Sequence, residues 1–156
     1  NELNSFERTI HQDITMKFVC DRGVSHEIVR HRVASFAQES TRYCNYSKDK
    51  FGQEITVVRP SWCEEDDYKY EFWRSGCRFA ESAYFGLLDK GCTPQEARSV
   101  LPNSLKTEII VTMNLDGWKH FFDLRCAAGA HPDMREVATM AKDIFDRIIT
   151  TDDVIE

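Results

Sequence analysis

The sequence lacks the features that mark several common protein classes. No apolar run approaches the roughly 20 residues that a membrane-spanning helix requires. Neither a Gly-x-Gly-x-x-Gly loop nor a Walker A loop occurs, so the sequence does not support a Rossmann-type dehydrogenase or a P-loop NTPase. The six cysteines form no C-x-x-C pair, which argues against a zinc knuckle. We interpret them as reduced thiols and, with no targeting segment visible, expect a cytoplasmic protein.

Positive charge is also scarce, because 26 acidic residues outnumber 20 basic ones and give a net charge of −6. This balance argues against a general nucleic-acid coat and against a binder of anionic membranes, since both are normally basic. A single-stranded nucleic-acid binder that uses arginines and interleaved aromatic residues is an alternative that the net charge disfavours. A local basic site within an acidic protein remains compatible with this balance.

The chain has the size and composition of one globular domain. Its 156 residues, 42% of them apolar and 29% charged, suffice to bury a core without disulfides or a structural metal. No repeat or linker divides the sequence, so we predict a single domain over residues 1–156, with no metal site. Because the first residue is Asn1 rather than Met, we expect a short N-terminal element to be missing.

Short strands alternate with helices, which predicts a mixed α/β or α+β domain. Alternation of apolar and polar side chains predicts a strand over 14–20. Two further strands are predicted, one over 55–58 that is stopped by Pro60 and one over 107–113. The apolar face predicted for the last helix holds Met134, Val137, Ala141, Ile144 and Ile148. Five helices are predicted. The first runs from an N-cap at Ser25 to about Phe36, and the second begins at the acidic run 64–67 and stops at Gly91. The third runs from the capping box Thr93–Glu96 to Leu101, the fourth follows Asn114, and the fifth begins at Pro132.

The densest polar signal is the segment RHRVASFAQESTRY over residues 30–43. Its arginine side chains offer planar guanidinium groups that suit phosphates and carboxylates. In an acidic protein such a cluster favours a small anionic ligand. A solvated helix face, with Glu27 and Glu39 as surface ion-pair partners, explains the same residues equally well on physical grounds alone.

Three motif blocks follow one another between roughly residues 22 and 140. The first reads Arg-His-Arg at 30–32, with Ser40 after seven further residues and then Arg42-Tyr43. The second reads QEARSVLP over 95–102, and the third reads FDLR over 122–125 and AHPDMR over 130–135. Together these blocks resemble the flavin-dependent thymidylate synthases (ThyX family), whose signature is RHR-x7-S.

The resemblance implies a fold, an assembly and a reaction. It implies an α+β fold with a mixed or antiparallel sheet and several helices, in a homotetramer whose active sites lie between subunits. It further implies FAD, dUMP, methylenetetrahydrofolate and NADPH as ligands. The implied reaction is the reductive methylation of dUMP to dTMP, in which methylenetetrahydrofolate supplies the carbon and reduced flavin the reducing equivalents.

The resemblance also implies roles for individual residues. Arg135 matches an arginine that contacts the uracil, where a guanidinium would stabilise negative charge on the ring. Ser40 is the second catalytic candidate, although no adjacent His/Asp pair is evident that would make it a covalent nucleophile. The implied dUMP-binding residues are Glu27, Arg30, Glu39, Ser40, Arg42, Arg98 and Arg135. The implied flavin-binding residues are His11, Arg30, His31, Arg32, Gln38, Asp123 and Arg125.

Several positions depart from the family pattern. Gln95 stands where the family usually has a carboxylate, three residues before Arg98, and Gly129 stands where Asn or His is common. Ala37-Gln38 replaces a frequent Asn-Glu, and His131 replaces a Gln. A different class of function, a non-catalytic nucleotide- or phosphate-binding module, would use the arginine side chains of residues 30, 32, 42 and 98.

Overall fold

The computed structural model describes residues 4, 7, 11–44, 46, 54–65 and 67–152. Three strands form one antiparallel sheet in the order β1-β3-β2, so the predicted α+β class is confirmed. None of the described helices combines the length and apolar composition that a membrane span needs. The elements are β1 (Asp13–Asp21), α1 (Arg22–Ile28), β2 (Ser35–Gln38), α2 (Tyr68–Asp89), α3 (Pro94–Ala97) with a 3-10 turn (Arg98–Val100), β3 (Lys106–Asn114), α4 (Leu115–Arg125) and α5 (Pro132–Asp152).

The residues group into two compact units, each assembled from separate stretches of the chain. Unit 1 consists of Asn1–Phe18, His26–Ala37 and Ile109–Glu156. Unit 2 consists of Val19–Ser25 and Gln38–Glu108. The prediction of a single domain over 1–156 stays a prediction.

The core of unit 1 is aromatic. Along β1, alternate residues are buried, so Ile14 and Phe18 point to the core as the sequence pattern predicts. The Phe18 ring stacks on Trp118 of α4 at 6.1 Å between ring centroids, and Phe121 meets Trp118 edge-on at 5.5 Å. Trp118 donates its indole N–H to the Ile14 carbonyl at 3.0 Å, so the polar atom of this large buried side chain is satisfied.

The buried stripe of α5 differs from the predicted one. Met134, Ala138, Ala141 and Phe145 are buried, at the spacing of a single helix face. Ile144 and Ile148 were expected on that face, but they are 48% and 38% exposed. The apolar residues of α5 extend over a wider face than the one that packs against the core of unit 1. Ile144 and Ile148 therefore lie at the edge of the buried face.

In unit 2, α2 has clear start and stop signals. Asp67 caps the helix by accepting the Lys69 N–H at 3.0 Å, and Gly91 follows the helix with a positive φ of 89°, as its predicted role requires. Glu64 and Glu65 precede the helix, so the prediction that the acidic run forms its first turn is wrong for them. The buried cluster of this unit contains Cys44, Tyr46, Ile55, Tyr84, Ala97 and Leu105.

Of two other sequence predictions on unit 2, the capping box is confirmed and a strand is not. The capping box is present, since the Glu96 carboxylate accepts the Thr93 N–H at 2.8 Å. The strand predicted over 55–58 is wrong, because the segment forms only an isolated antiparallel bridge between Val57 and Leu105. Pro60 has no N–H to donate, so the pairing stops soon after this bridge.

The helix predicted from an N-cap at Ser25 to about Phe36 exists with different bounds, Arg22–Ile28, so its predicted cap and its predicted end are wrong. Asp21, not Ser25, accepts the Val24 N–H at 2.7 Å, and α1 ends at Ile28. Val24 and Ile28 are buried one turn apart, but Val29 and Val33 are exposed, so no apolar face continues the helix. The chain turns after Ile28 and enters β2 instead.

Candidate functional site

The Arg30-His31-Arg32 motif lies in the turn that follows α1, not on a helix as the sequence predicted. The turn is closed by hydrogen bonds from the Arg30 N–H to the Glu27 carbonyl and from the His31 N–H to the Ile28 carbonyl, both 3.2 Å. His31 is buried, with 7% exposure, while both arginine side chains are exposed. The turn therefore presents two cations on either side of a sheltered imidazole.

Arg125, the last residue of α4, links the turn to the helix within unit 1. Its Nε donates to His31 Nε2 at 2.9 Å, its Nη1 to Glu27 Oε2 at 2.5 Å and its Nη2 to the Glu27 carbonyl at 2.9 Å. Three nitrogen atoms of the rigid, planar Arg125 guanidinium thus donate hydrogen bonds to two residues. Its side chain is only 18% exposed, so these charge-assisted bonds hold the guanidinium in one orientation.

The imidazole of His31 is held neutral. The pKa of His31 is lowered to about 4, mainly by burial and in addition by the charges of Arg125 and His120. Because Nε2 accepts a hydrogen bond from Arg125, the ring proton sits on Nδ1. The ring also packs on Phe121, with 4.8 Å between centroids.

A cavity of about 640 Å³ opens beside this arrangement, and we call it the His31 cavity. Arg30 and Arg32 supply positive charge at its wall, and Val33, 84% exposed, and Leu124 supply apolar surface. Such a lining suits an anionic ligand that also has a flat apolar part. The residues that line it are Arg30, His31, Arg32, Val33, Met113, Asn114, Asp116, Gly117, His120, Leu124 and Arg125.

The start of α4 forms another part of this wall. Asn114 caps the helix by accepting the Gly117 N–H at 2.8 Å, as the sequence predicts. A Cβ atom on Gly117 would lie 3.1 Å from the Cβ of Met113 and 3.2 Å from Oδ1 of Asn114. Glycine at this position therefore permits the close packing between the cap and the first turn.

In unit 2, two arginines meet at one group of residues, which we call the Arg42 cluster (Ser40, Thr41, Arg42, Gln95 and Arg98). The Arg42 N–H donates to Ser40 Oγ at 3.3 Å, and its Nε donates to Oε1 of Gln95 at 3.0 Å. Nη1 of Arg98 reaches Thr41 Oγ1 at 3.5 Å. Both arginine side chains are exposed, so the cluster offers two guanidinium groups and a hydroxyl to an anion.

The two residues before this cluster are engaged within unit 2. Nε2 of Gln38 donates to Ser25 Oγ at 2.8 Å and to Thr107 Oγ1 at 3.3 Å. The Glu39 N–H donates to the Glu108 carbonyl at 3.0 Å, which extends the β2–β3 pairing toward Ser40. These bonds fix the backbone from which the Arg42 cluster begins.

Arg135, Asp123 and His11 belong neither to the lining of the His31 cavity nor to the Arg42 cluster. Arg135 lies in the first turn of α5, and its Nη1 donates to the Ala128 carbonyl at 3.1 Å. Asp123 and His11 are exposed on the described surface of unit 1. The roles that the resemblance implies for these three residues stay predictions.

His120 and Gln95 are among the residues of these sites that the sequence reasoning missed. His120 lines the His31 cavity, with its ring centroid 6.2 Å from that of His31. Gln95 was noted only as a departure from the family pattern, yet it bonds Arg42 directly. The position of Gln95 could have indicated a place near the cluster, since it lies in the same short helical segment as Arg98.

The comparisons with known proteins agree with the motifs. A family model described as thymidylate synthase complementing protein matches residues 7–149. The flavin-dependent thymidylate synthase of Pyrococcus furiosus is 40% identical over 119 residues, which cover 76% of this chain and 48% of that protein. The enzyme of the same name from Geobacter sulfurreducens is 38% identical over 117 residues, with 75% and 49% covered.

A third relative, the flavin-dependent thymidylate synthase of Sulfolobus acidocaldarius, is 35% identical over 129 residues, which cover 81% of this chain and 46% of that protein. The chain thus spans about half the length of the curated relatives it matches. The family model nevertheless covers most of the chain, including all three motif blocks. The chain therefore belongs to the thymidylate synthase complementing protein family, the family of the flavin-dependent thymidylate synthases.

Proposed function

We propose that the protein is a flavin-dependent thymidylate synthase that converts dUMP to dTMP, with methylenetetrahydrofolate as carbon donor and FAD and NADPH as the reducing system. One observation carries this proposal beyond the family match. It is the His31 cavity, where Arg125 holds a neutral imidazole between two exposed arginines. Cationic and apolar groups line this one cavity, as a ligand with an anionic part and a flat apolar part requires.

The residues of the His31 cavity fit a flavin dinucleotide. Arg30 and Arg32 offer guanidinium groups for a pyrophosphate, and Val33 and Leu124 expose apolar surface that a flat ring system would cover. A neutral His31 can lie against such a ring without the cost of burying a charge. When bound, FAD supplies the reducing equivalents for the reaction. Arg125, Gln38, Asp123 and His11 complete the proposed flavin-binding set.

The Arg42 cluster fits the phosphate of dUMP. A monoester dianion needs charge-assisted donors, and Arg42, Arg98 and the Ser40 hydroxyl supply them. Ser40 acts here by binding, since no base contacts its hydroxyl among the described residues. Glu27, Arg30 and Glu39 are the remaining residues of the proposed dUMP set.

Arg135 is proposed to act on the uracil. Its guanidinium would stabilise negative charge on the N3–O4 edge of the pyrimidine, which polarises the ring so that C5 can bond to the methylene carbon. A cation in the first turn of a helix is disfavoured by the helix dipole, which supports a reason other than stability for an arginine there.

The proposed assembly is a cytoplasmic homotetramer with active sites between subunits. It is supported by the family match alone. Light scattering at low micromolar concentration tests it, since a tetramer has four times the mass of the 18.1 kDa chain.

Release of tritium from C5 of labelled dUMP tests the proposed reaction. We expect release from the flavin-loaded chain that requires both methylenetetrahydrofolate and NADPH. Omission of either, or use of chain stripped of flavin, should reduce the release to background. Binding of dUMP without tritium release and without flavin would instead indicate a non-catalytic nucleotide-binding module.

A further inference from the structure

Gln95 contacts a guanidinium that the proposed function assigns to the substrate phosphate. Its Oε1 accepts the Nε hydrogen of Arg42 at 3.0 Å, across 53 residues of sequence. Gln95 stands in the second position of α3, and Arg98 starts the 3-10 turn that continues this helix. One short helical segment therefore carries both an arginine of the cluster and a residue that holds the other arginine.

The geometry of an arginine side chain explains what this bond does. Arg42 is exposed, and an unrestrained side chain of this kind loses rotamer entropy when it is ordered on a ligand. A bond to Nε fixes the plane of the guanidinium and leaves both Nη groups available to a ligand. The Tyr43 ring, 5.4 Å from Cζ of Arg42, supports the same plane from one side.

The acceptor at residue 95 is an amide oxygen, which affects the charge of the cluster. An amide oxygen accepts the Nε hydrogen without adding negative charge, whereas a carboxylate at the same place would partly neutralise Arg42. The neighbouring carboxylate of Glu96 accepts the N–H and the hydroxyl of Thr93 instead, both at 2.8 Å. The Glu96 carboxylate is therefore held at the start of α3 by its bonds to Thr93, and the acceptor that contacts Arg42 is the uncharged amide of Gln95.

We propose that Gln95 is a positioning residue for dUMP binding, which acts through Arg42 by ordering its guanidinium for the substrate phosphate. This inference rests on the proposed function, because it takes the ligand of the Arg42 cluster to be a phosphate monoester. It requires an acceptor oxygen at residue 95, so a side chain of the same size without an acceptor should not support tight binding of dUMP.

Calorimetric titration of the full chain with dUMP tests the inference, because binding is measured without turnover. Gln95→Met keeps the length of the side chain and removes the acceptor, and we expect its Kd for dUMP to rise about tenfold. Gln95→Glu restores an acceptor and should bind dUMP within about threefold of the unsubstituted chain, with a smaller loss of affinity on adding salt. The double substitution Arg42→Ala, Gln95→Met should bind like Arg42→Ala alone, because the effect passes through Arg42.

Glu96→Gln is the matched control on the same helix. It weakens the capping bond and should lower the melting temperature while leaving the Kd for dUMP unchanged. The inference is overturned if Gln95→Met binds dUMP as tightly as the unsubstituted chain, if Gln95→Glu is as weak as Gln95→Met, or if the effects of Arg42→Ala and Gln95→Met add. A chain that releases no tritium but shows the predicted pattern of Kd values contradicts the proposed reaction and supports this inference.

Discussion

Arg125 Nε donates a hydrogen bond to Nε2 of His31 across 2.9 Å and 94 residues of sequence. This bond decides which nitrogen of the buried imidazole is unprotonated, because a guanidinium can only donate. It also explains why the motif turn has a defined shape although it belongs to no helix or strand. The pair is therefore both a structural link in unit 1 and the base of the His31 cavity.

The first prediction concerns the stability that Arg125 provides. Arg125→Ala leaves the Glu27 carboxylate, one-third exposed, and the buried His31 ring without their donor. We expect the free energy of unfolding at pH 7.5 to fall by about 2 kcal/mol. This loss is smaller than the loss expected for a fully buried ion pair, because Glu27 is partly exposed to solvent. Arg125→Lys should recover little of this loss, because one ammonium cannot make the three bonds of the fork.

Urea unfolding followed by circular dichroism measures these differences. Arg74→Ala is the control, since Arg74 is exposed and its Glu71 partner is 4.0 Å away. We expect this control to change the unfolding free energy by less than about 0.5 kcal/mol. Equal midpoints for Arg125→Ala and the unsubstituted chain would show that the fork contributes nothing to stability.

The second prediction is a pH dependence that arises from His31. Its pKa in the folded protein is about 4, below the ordinary value of 6.5, so the unfolded chain binds more protons between these values. The stabilisation is complete above pH 6.5 and is lost as the pH falls toward 4, by up to about 3 kcal/mol. We expect His31→Asn to remove this part of the decrease, because asparagine does not titrate.

Urea titrations at pH 7.5, 6.0 and 5.0 compare the two proteins, and the difference between them isolates His31 from the carboxylates that also titrate. His120→Gln serves as the matched control and should retain most of the decrease. Parallel curves for His31→Asn and the unsubstituted chain would contradict a neutral, buried His31.

The third prediction separates Arg135 from the structural arginines. Arg135→Ala should nearly abolish tritium release while the protein stays folded and yellow, because the proposed role of Arg135 is confined to the reacting pyrimidine. The hydrogen bond of its side chain to the Ala128 carbonyl is on the surface, so the melting temperature should change little. Turnover close to that of the unsubstituted protein would remove Arg135 from the mechanism.

The fourth prediction concerns the Arg42 cluster. Arg42→Ala should raise KM for dUMP more than it lowers kcat, because a phosphate contact is made in both the ground state and the transition state. Arg98→Ala should behave in the same way, since its guanidinium approaches Thr41 in the same cluster. Steady-state kinetics over a range of dUMP concentrations measures both constants, and equal losses in KM and kcat for the Arg42 variant would argue against a uniform binding role.

Elements with local chemical signals were predicted closely from the sequence. The strands expected at 14–20 and 107–113 are β1 and β3 with one additional residue at each end. Asn114, Gly91 and the Thr93–Glu96 box mark helix ends as expected, because capping depends on residues within one turn of each other.

The turn after α1 was not predictable from such local signals. Ser25 is a good capping residue by type, yet its hydroxyl donates to the Arg22 carbonyl inside α1 and accepts from Gln38. The partners that shape the turn are distant in sequence, as the separation of 98 residues between Glu27 and Arg125 shows. Motif matching pointed to several residues of the His31 cavity and of the Arg42 cluster but missed His120 and Gln95. The bonds that Arg125 donates and the bond that Gln95 accepts required the folded structure.

The visible absorption spectrum of the purified chain, before and after addition of FAD, dUMP and NADPH, tests the central claim most directly. We expect a flavin spectrum that survives gel filtration, and under anaerobic conditions a loss of absorbance with NADPH that dUMP accelerates. Substitution of Arg30 and Arg32 together by Ala should abolish flavin retention. A colourless chain that cannot be reconstituted with FAD would contradict the claim that these arginines and His31 hold a flavin.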